Sequence, residues 1–158
     1  MKKSFSILSL VIFWVVLTSI VFAQNLIEIK EKALQSDAKA QYELGLMYAR
    51  GNSVKQDFSQ AKLWWEKAAA QGNAQAQLGL GILYDRGDGV KQDFSQAKLW
   101  WEKAAAQGNA QAQVNLGAMY DKGDGVKQDL SQAKLWFEKA AAQGDAKAKE
   151  LLNKLKSN

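Results

Sequence analysis

Cysteine, histidine and proline are all missing from the 158-residue sequence. Without cysteine there are no disulfides. Without cysteine and histidine there are no thiolate or imidazole metal sites and no Cys–His or Ser–His–Asp nucleophile systems. We therefore expect no cofactor or metal, and few routes to catalysis. The lack of proline fits a chain of helices joined by glycine turns, because proline interrupts helices.

The first residues differ in composition from the remainder. Lys2 and Lys3 precede an apolar run from Phe5 to Phe22, and Ala23 is followed by the polar Gln24. This order is typical of a secretory signal peptide, residues 1–23, cleaved after Ala23. We predict an exported protein, either periplasmic or secreted. The alternative is an uncleaved membrane anchor over residues 5–22, since that run approaches the ~20 residues that span a bilayer.

The charge balance is mildly basic. The formal charge is +5, from 21 basic and 16 acidic residues, and loss of Lys2 and Lys3 with a signal peptide leaves 19 basic residues against 16. Lysines alternate with acids, as in Glu66-Lys67, and do not gather in one strip. The sequence therefore predicts no nucleic-acid partner.

One stretch of sequence recurs without change. The residues from Val54 to Gln77 return letter for letter from Val90 to Gln113. This 36-residue spacing divides the chain into three units, which cover residues 38–73, 74–109 and 110–145. A period of this length predicts a solenoid, in which each unit stacks on its neighbours because it cannot bury its apolar face alone.

Each unit contains two helical patterns with marked ends. Asp57, with Gln60 three places on, is suited to cap the start of the second helix, and Gly72 is suited to end it. Asn73 is suited to cap the first helix of the next unit, which Gly87 ends. The predicted fold class is all-α, built from paired helices.

Small residues lie where these helices are expected to meet. On a wheel of ~100° per residue, Trp64 and Trp65 flank a seam formed by Ala61 and Ala68. We interpret the paired tryptophans as core residues, with a stacking platform for bases or sugars as the alternative. The first helix carries a similar cluster, formed by Ala76, Leu80, Gly81, Leu83 and Tyr84.

The recurring motif is specific enough to compare with known repeats. In the second unit it consists of Ala76, Leu80-Gly81, Tyr84, Gly87-Asp88-Gly89-Val90, Asp93, Ala97, Trp100-Trp101, Ala104-Ala105 and Gly108. It resembles the Sel1-like repeats, relatives of the tetratricopeptide repeats, although the first unit has Asn52-Ser53 in place of Asp-Gly. The resemblance implies a right-handed superhelix of antiparallel helix pairs that binds other proteins, and bacterial members are often exported.

The flanks extend the same organisation. Residues 24–37 are predicted to form a partial helix before the first unit, and residues 146–158 a helix that caps the last. The segment from Lys147 to Lys156 is locally basic. We interpret it as a solubilising cap, with a basic interaction patch as the alternative.

Differences between the copies suggest where a partner binds. The second helix hardly changes, whereas three positions of the first helix vary and lie on the wheel away from the core arc. The resemblance implies that first helices line the concave surface. We therefore expect these positions to be free of packing and to contact another protein or peptide, with unselected drift as the alternative. They are Tyr42, Leu78 and Val114; Glu43, Gly79 and Asn115; and Leu46, Ile82 and Ala118.

One motif points to a different class of function. Ser59 and Lys62 form an S-x-x-K, the nucleophile signature of penicillin-binding proteins and serine β-lactamases. The motif recurs at Ser95 and Ser131, and the S-D-N and K-T-G companions are missing. We predict a scaffold without catalysis, and keep an envelope enzyme that acts on or binds β-lactams as the alternative.

Overall fold

The computed structural model describes the backbone of residues 7–157 and the side-chain surroundings at 11, 14, 16, 17 and 24–155. This part of the chain forms eight α-helices and no strand. Consecutive helices pack against each other, so the chain advances as a row of helix pairs. The helices are α1 (Ile7–Leu34), α2 (Ala38–Arg50), α3 (Phe58–Ala70), α4 (Ala74–Arg86), α5 (Phe94–Ala106), α6 (Ala110–Lys122), α7 (Leu130–Ala142) and α8 (Ala146–Ser157).

The N-terminal helix is longer than the partial helix predicted for residues 24–37. It runs without a break from Ile7 to Leu34, and its residues Leu26 and Ile29 pack against the core of α2. Lys2, Lys3 and the first apolar residue, Phe5, lie outside the described residues. Among the residues whose side chains the structure describes (11, 14, 16, 17 and 24–155), no helix is long and apolar enough to cross a membrane.

Helix ends follow the capping residues. The carboxylate of Asp57 accepts a 3.0 Å hydrogen bond from the backbone N–H of Gln60, which satisfies a donor at the start of α3. The amide oxygen of Asn73 does the same at the start of α4. Gly87 ends α4 with a φ of 76°, a left-handed conformation that favours glycine. The predicted two-helix unit is confirmed.

Each boundary between repeats contains its own apolar cluster. Trp65 of α3 packs with Ala76, Leu80 and Leu83 of α4, and Trp100 of α5 packs against the same cluster. The next boundary repeats this arrangement around Trp101. The second aromatic ring of each pair is therefore core, while the first lies half-buried and packs back on the preceding repeat.

Glycines allow the tryptophan rings to approach the first helices. A Cβ atom added at Gly79 would lie 2.9 Å from Cε3 of Trp65, closer than real Cβ atoms come to a neighbour. Gly45 meets the opposite edge of the same ring, and Gly81 meets Trp101 in the same way. Glycine is required at these helical positions by the close packing of an indole ring on a helix backbone.

A ladder of buried amides ties neighbouring repeats together. Gln77 is buried at the start of α4, and its Nε2 donates to the carbonyl of Ala69 in the preceding repeat at 3.3 Å. Its Oε1 accepts a 2.8 Å hydrogen bond from Nε2 of Gln107, which follows α5, the second helix of the same repeat. Gln41 and Gln113 occupy equivalent positions and make equivalent bonds. One side chain thus joins three helices at each boundary.

Candidate functional site

The nine variable positions of the first helix are less free than predicted. Val114 is 2% exposed and packs with α7 and α8, and Gly79 is buried under Trp65. Five others are half-buried and pack against an apolar cluster at the next boundary, namely Tyr42, Leu46, Leu78, Ile82 and Ala118. The expectation that these positions are free of packing is wrong for these seven.

The reason lies in the geometry of stacked repeats. A helix wheel assigns one apolar arc to one core, as on a helix at the surface of a globular domain. In this solenoid a first helix packs both on the second helices around it and on the first helix of the next repeat. Ile82, for example, reaches the cluster that contains Leu116 and Met119 of α6. The side of the helix that seemed free is the side that meets the next repeat.

Three of the predicted residues meet at one groove. Ile82 of α4 and Asn115 and Ala118 of α6 line a groove of about 490 Å³ on the first-helix face. The buried ring of Trp101 and the side chain of Met119 also line it. The other six variable positions do not line it. This groove is the candidate functional site, and we call it the first-helix groove.

Charged side chains surround the first-helix groove. The lining includes three cations and two carboxylates from α4, α6, the loop after α6 and α8, namely Arg86, Lys122, Lys147, Asp85 and Asp124. The cations are exposed and the carboxylates half-buried. Burial raises the pKa of Asp85, the nearby Asp124 carboxylate raises it further, and Lys122 and Arg86 oppose these effects. The groove therefore has an apolar base and a charged rim with one surplus positive charge.

Sequence reasoning missed these charged residues. Asp85, Arg86 and Lys122 lie in the last turns of α4 and α6, where cations are common because they complement the helix dipole. The available signal was periodicity: Arg50, Arg86 and Lys122 stand at the same position of three successive repeats. Lys147 was noticed as part of the basic tail, but its place beside α6 depends on the stacking of α8.

The cations of the second helices are already engaged. Lys62, Lys98 and Lys134 each pair with a glutamate four residues on, at 2.6, 2.9 and 3.7 Å. The remaining lysines of these helices lie over tryptophan rings, with Nζ 4.0–4.2 Å from the ring centroids. These lysines are Lys67, Lys103 and Lys139. The lysines of the second helices are thus already engaged by groups of their own helix.

The same pairing bears on the S-x-x-K motif. Ser59 is exposed in the first turn of α3, and the hydrogen bond from Lys62 to Glu66 raises the pKa of that lysine. Lys98, paired with Glu102, behaves alike. A lysine that activates a serine must lose its proton, and these pairings favour the protonated form. The geometry gives the β-lactam alternative no support.

Stacked helix pairs with a groove across their first helices define a class: right-handed α-helical solenoids of the tetratricopeptide type. Comparison with known proteins narrows it. The sequence model of the Sel1 repeat matches residues 38–73, 74–109 and 110–145, the same three units that the period marks. The chain therefore belongs to the Sel1 repeat family.

Relatives agree with this assignment. The chain is 46% identical over 44 residues to the secretory immunoglobulin A-binding protein EsiB of Escherichia coli O6:H1, a match that covers 28% of this chain and 9% of that protein. The match thus spans 9% of the length of this curated relative, or about a tenth.

Solved structures share the fold. The protective antigen c5321 of uropathogenic Escherichia coli, with an SLR fold, is 46% identical and superimposes with a TM-score of 0.76 over 78% of this chain and 26% of its own. A Sel1 repeat protein from Oxalobacter formigenes is 42% identical, with a TM-score of 0.74 over 83% and 98%. Cysteine-rich protein B of Helicobacter pylori is 29% identical, with a TM-score of 0.63 over 79% and 95%.

Family membership fixes the general role. Sel1 repeat proteins typically mediate protein–protein interaction, and scaffolds of this family are generally non-catalytic. The cysteines that name the Helicobacter pylori neighbour have no counterpart in this sequence, which contains none. The chain holds its repeats together by apolar packing, glycine contacts and the amide ladder.

Proposed function

We propose that this chain is an exported scaffold that binds a segment of another protein in the first-helix groove and performs no catalysis of its own. The observation that carries the proposal is the groove itself. It combines an apolar base, formed around Ile82 and Ala118, with a charged rim supplied by separate helices. Peptide-binding grooves commonly join apolar anchoring sites to polar groups that fix orientation.

The contrast between the two faces of the solenoid supports the same assignment. The second helices are nearly identical from copy to copy, and their lysines are engaged within the helix. The first helices differ, and their groove-lining cations form no ion pair within 4.0 Å among the described residues. Cations without an ion pair beside a groove are available to a partner, whereas lysines that already contact a glutamate or an aromatic ring are less so.

A photocrosslinking experiment tests the binding face. A photoreactive residue at Gln111, which is exposed and lines the groove, should yield a discrete protein adduct in cells. The matched control is the same residue at Leu99, which is 43% exposed on a second helix and lies outside the groove. Ala118→Arg should abolish the Gln111 adduct by filling the groove. Adducts of equal yield from both positions, or none from Gln111, contradict the proposal.

Export is the second part of the proposal. The apolar residues Val11, Trp14, Val16 and Leu17 of α1 are 44–65% exposed, whereas Leu26 of the same helix packs on the core of α2. Exposed apolar side chains are unfavourable in water, and cleavage after Ala23 would remove these four while sparing the contact of Leu26.

Mass spectrometry of the protein recovered from the cell envelope and the medium tests this part. The expected mature N-terminus is Gln24. A chain that retains residues 1–23, or that stays in the cytoplasm after fractionation, contradicts it. This outcome leaves the binding face untouched, so the two parts of the proposal stand or fall separately.

A further inference from the structure

We infer that the partner segment is acidic: an extended peptide that carries carboxylates around an apolar side chain. The inference rests on the proposed binding function and adds the chemistry of the ligand to it. It is carried by the cations of the first-helix groove. Arg86, Lys122 and Lys147 line this groove and reach solvent, and they converge on it from three different helices.

These cations differ in their surroundings from the lysines of the second helices. On the second helices, the six lysines are held by glutamates or lie over tryptophan rings. Arg86, Lys122 and Lys147 have no carboxylate within 4.0 Å among the described residues. An incoming carboxylate therefore gains an ion pair without breaking one. Such complementarity contributes to both specificity and association rate.

The position of the cations favours a segment that crosses the helices. Arg50, Arg86 and Lys122 occupy the last turn of successive first helices, so they form a row from repeat to repeat. An extended peptide laid along this row meets the cations in turn. Its apolar side chain can enter between Ile82 and Ala118, above the ring of Trp101. Arginine adds geometric selectivity because its guanidinium binds a carboxylate through two parallel hydrogen bonds.

Asp85 and Asp124 set a limit on this attraction. They lie half-buried in the same groove and reduce its surplus to one positive charge. Lys122 and Arg86 both act on the carboxylate of Asp85. Asp85 therefore offsets part of the attraction that these cations exert on the carboxylate of a ligand. Removal of the charge at Asp85 should strengthen the binding of an acidic segment.

Fluorescence anisotropy with designed peptides tests the inference, with the chain purified as the cell produces it. The probe is a short labelled peptide in which a central leucine is flanked by glutamates; its two controls replace the glutamates with glutamine or with lysine. We expect the glutamate peptide to bind most tightly and to weaken as salt screens the charges. Arg86→Glu combined with Lys122→Glu should weaken it by about tenfold or more, and Asp85→Asn should tighten it.

The control is Lys91→Glu, at an exposed loop lysine outside the groove, which shifts the net charge in the same direction and by half as much. Helical circular dichroism verifies that each variant folds. Tighter binding of the lysine peptide, equal weakening by Lys91→Glu, or no binding of the glutamate peptide overturns the inference. If the Gln111 photocrosslink still captures a partner, the binding function survives and the acidic ligand is wrong; if it captures none, both fall.

Discussion

The side-chain amide of Gln107 donates a 2.8 Å hydrogen bond to the Oε1 atom of Gln77, thirty residues earlier in the sequence. Gln77 also donates to the carbonyl of Ala69, so a buried polar group closes the junction of three helices. Gln41 and Gln113 repeat this junction at the neighbouring boundaries. Because this glutamine junction recurs along the chain, it contributes to the coupling between neighbouring repeats, and that coupling makes a solenoid unfold cooperatively.

The first prediction concerns this junction. Gln77→Leu should lower the free energy of unfolding by about 1 kcal/mol, because two side-chain hydrogen bonds of the junction are lost. The carbonyl of Ala69 keeps its bond from the backbone N–H of Gly72, and the exposed amide of Gln107 can turn to water. Urea denaturation followed by circular dichroism gives the value. Gln75→Leu, at an exposed position of the same helix, serves as the control and should change stability little. Equal losses in the two variants contradict a structural role for the junction.

The second prediction concerns the close approach of a helix to a ring. Gly81→Ala should destabilise the chain by about 1–3 kcal/mol, because its new Cβ collides with the indole ring of Trp101. Trp101→Leu alone should also destabilise it, through lost burial. In the double variant the smaller leucine makes room for the methyl group. The double variant should therefore lose less stability than the sum of the losses in the two single variants. Additive losses would mean that the two residues do not meet.

The third prediction concerns helix initiation. Asp93 caps α5 by accepting a 3.0 Å hydrogen bond from the backbone N–H of Gln96. Asp93→Ala should cost about 1 kcal/mol of stability, as loss of an N-cap typically does. Asp93→Asn should retain most of it, because asparagine caps a helix about as well as aspartate. Thermal unfolding of the two variants distinguishes a capping role from a charge effect, which Asn would not rescue.

The fourth prediction concerns pH. Burial and the Asp124 carboxylate raise the pKa of Asp85 in the folded chain. Between its ordinary value and the raised value, the folded state binds more protons than the unfolded state, so stability falls as pH rises through that window. Asp85→Asn should therefore stabilise the chain at neutral pH, and the gain should vanish below the ordinary pKa of an aspartate. Denaturation midpoints across a pH series measure this difference.

The control for the fourth prediction is Asp88→Asn, which removes an equal charge outside the groove lining. A gain of the same size and pH dependence in that variant would assign the effect to net charge. A constant gain for Asp85→Asn at every pH would contradict the titration of this carboxylate as its source.

Much of the fold could be predicted from the sequence because its signals are local. Asp57 and Asn73 mark helix starts because their side chains accept hydrogen bonds from the first turn, and Gly87 marks a helix end because glycine readily adopts a left-handed conformation. The structure places all three at these positions. The 36-residue period predicted that the units stack on one another. The Sel1 resemblance, carried by the same residues, is confirmed by the match to the family model.

The site was harder to predict because it depends on non-local packing. Val114 varies between copies and lies off the apolar arc of its own helix, yet it is buried by α7 and α8. Gln77 has the polarity of a surface residue, and only its three-helix junction explains its burial. The groove itself brings together Asp85 and Lys122, from two repeats, and Lys147, from the C-terminal helix. A wheel drawn for one helix contains none of these neighbours.

The alternation of aromatic rings has a consequence for spectroscopy. The buried indole rings belong to Trp65 and Trp101, in the first and second repeats, whereas the third repeat has Phe137 in that position. Its Trp136 is half-buried beside Lys139. Blue-shifted tryptophan emission from this chain therefore originates in the first two repeats. Fraying of the third repeat would uncover Trp101, which packs on α6, whereas Trp65 packs on α4 and would keep its emission. Partial loss of the blue-shifted emission therefore reports unfolding from the C-terminal end.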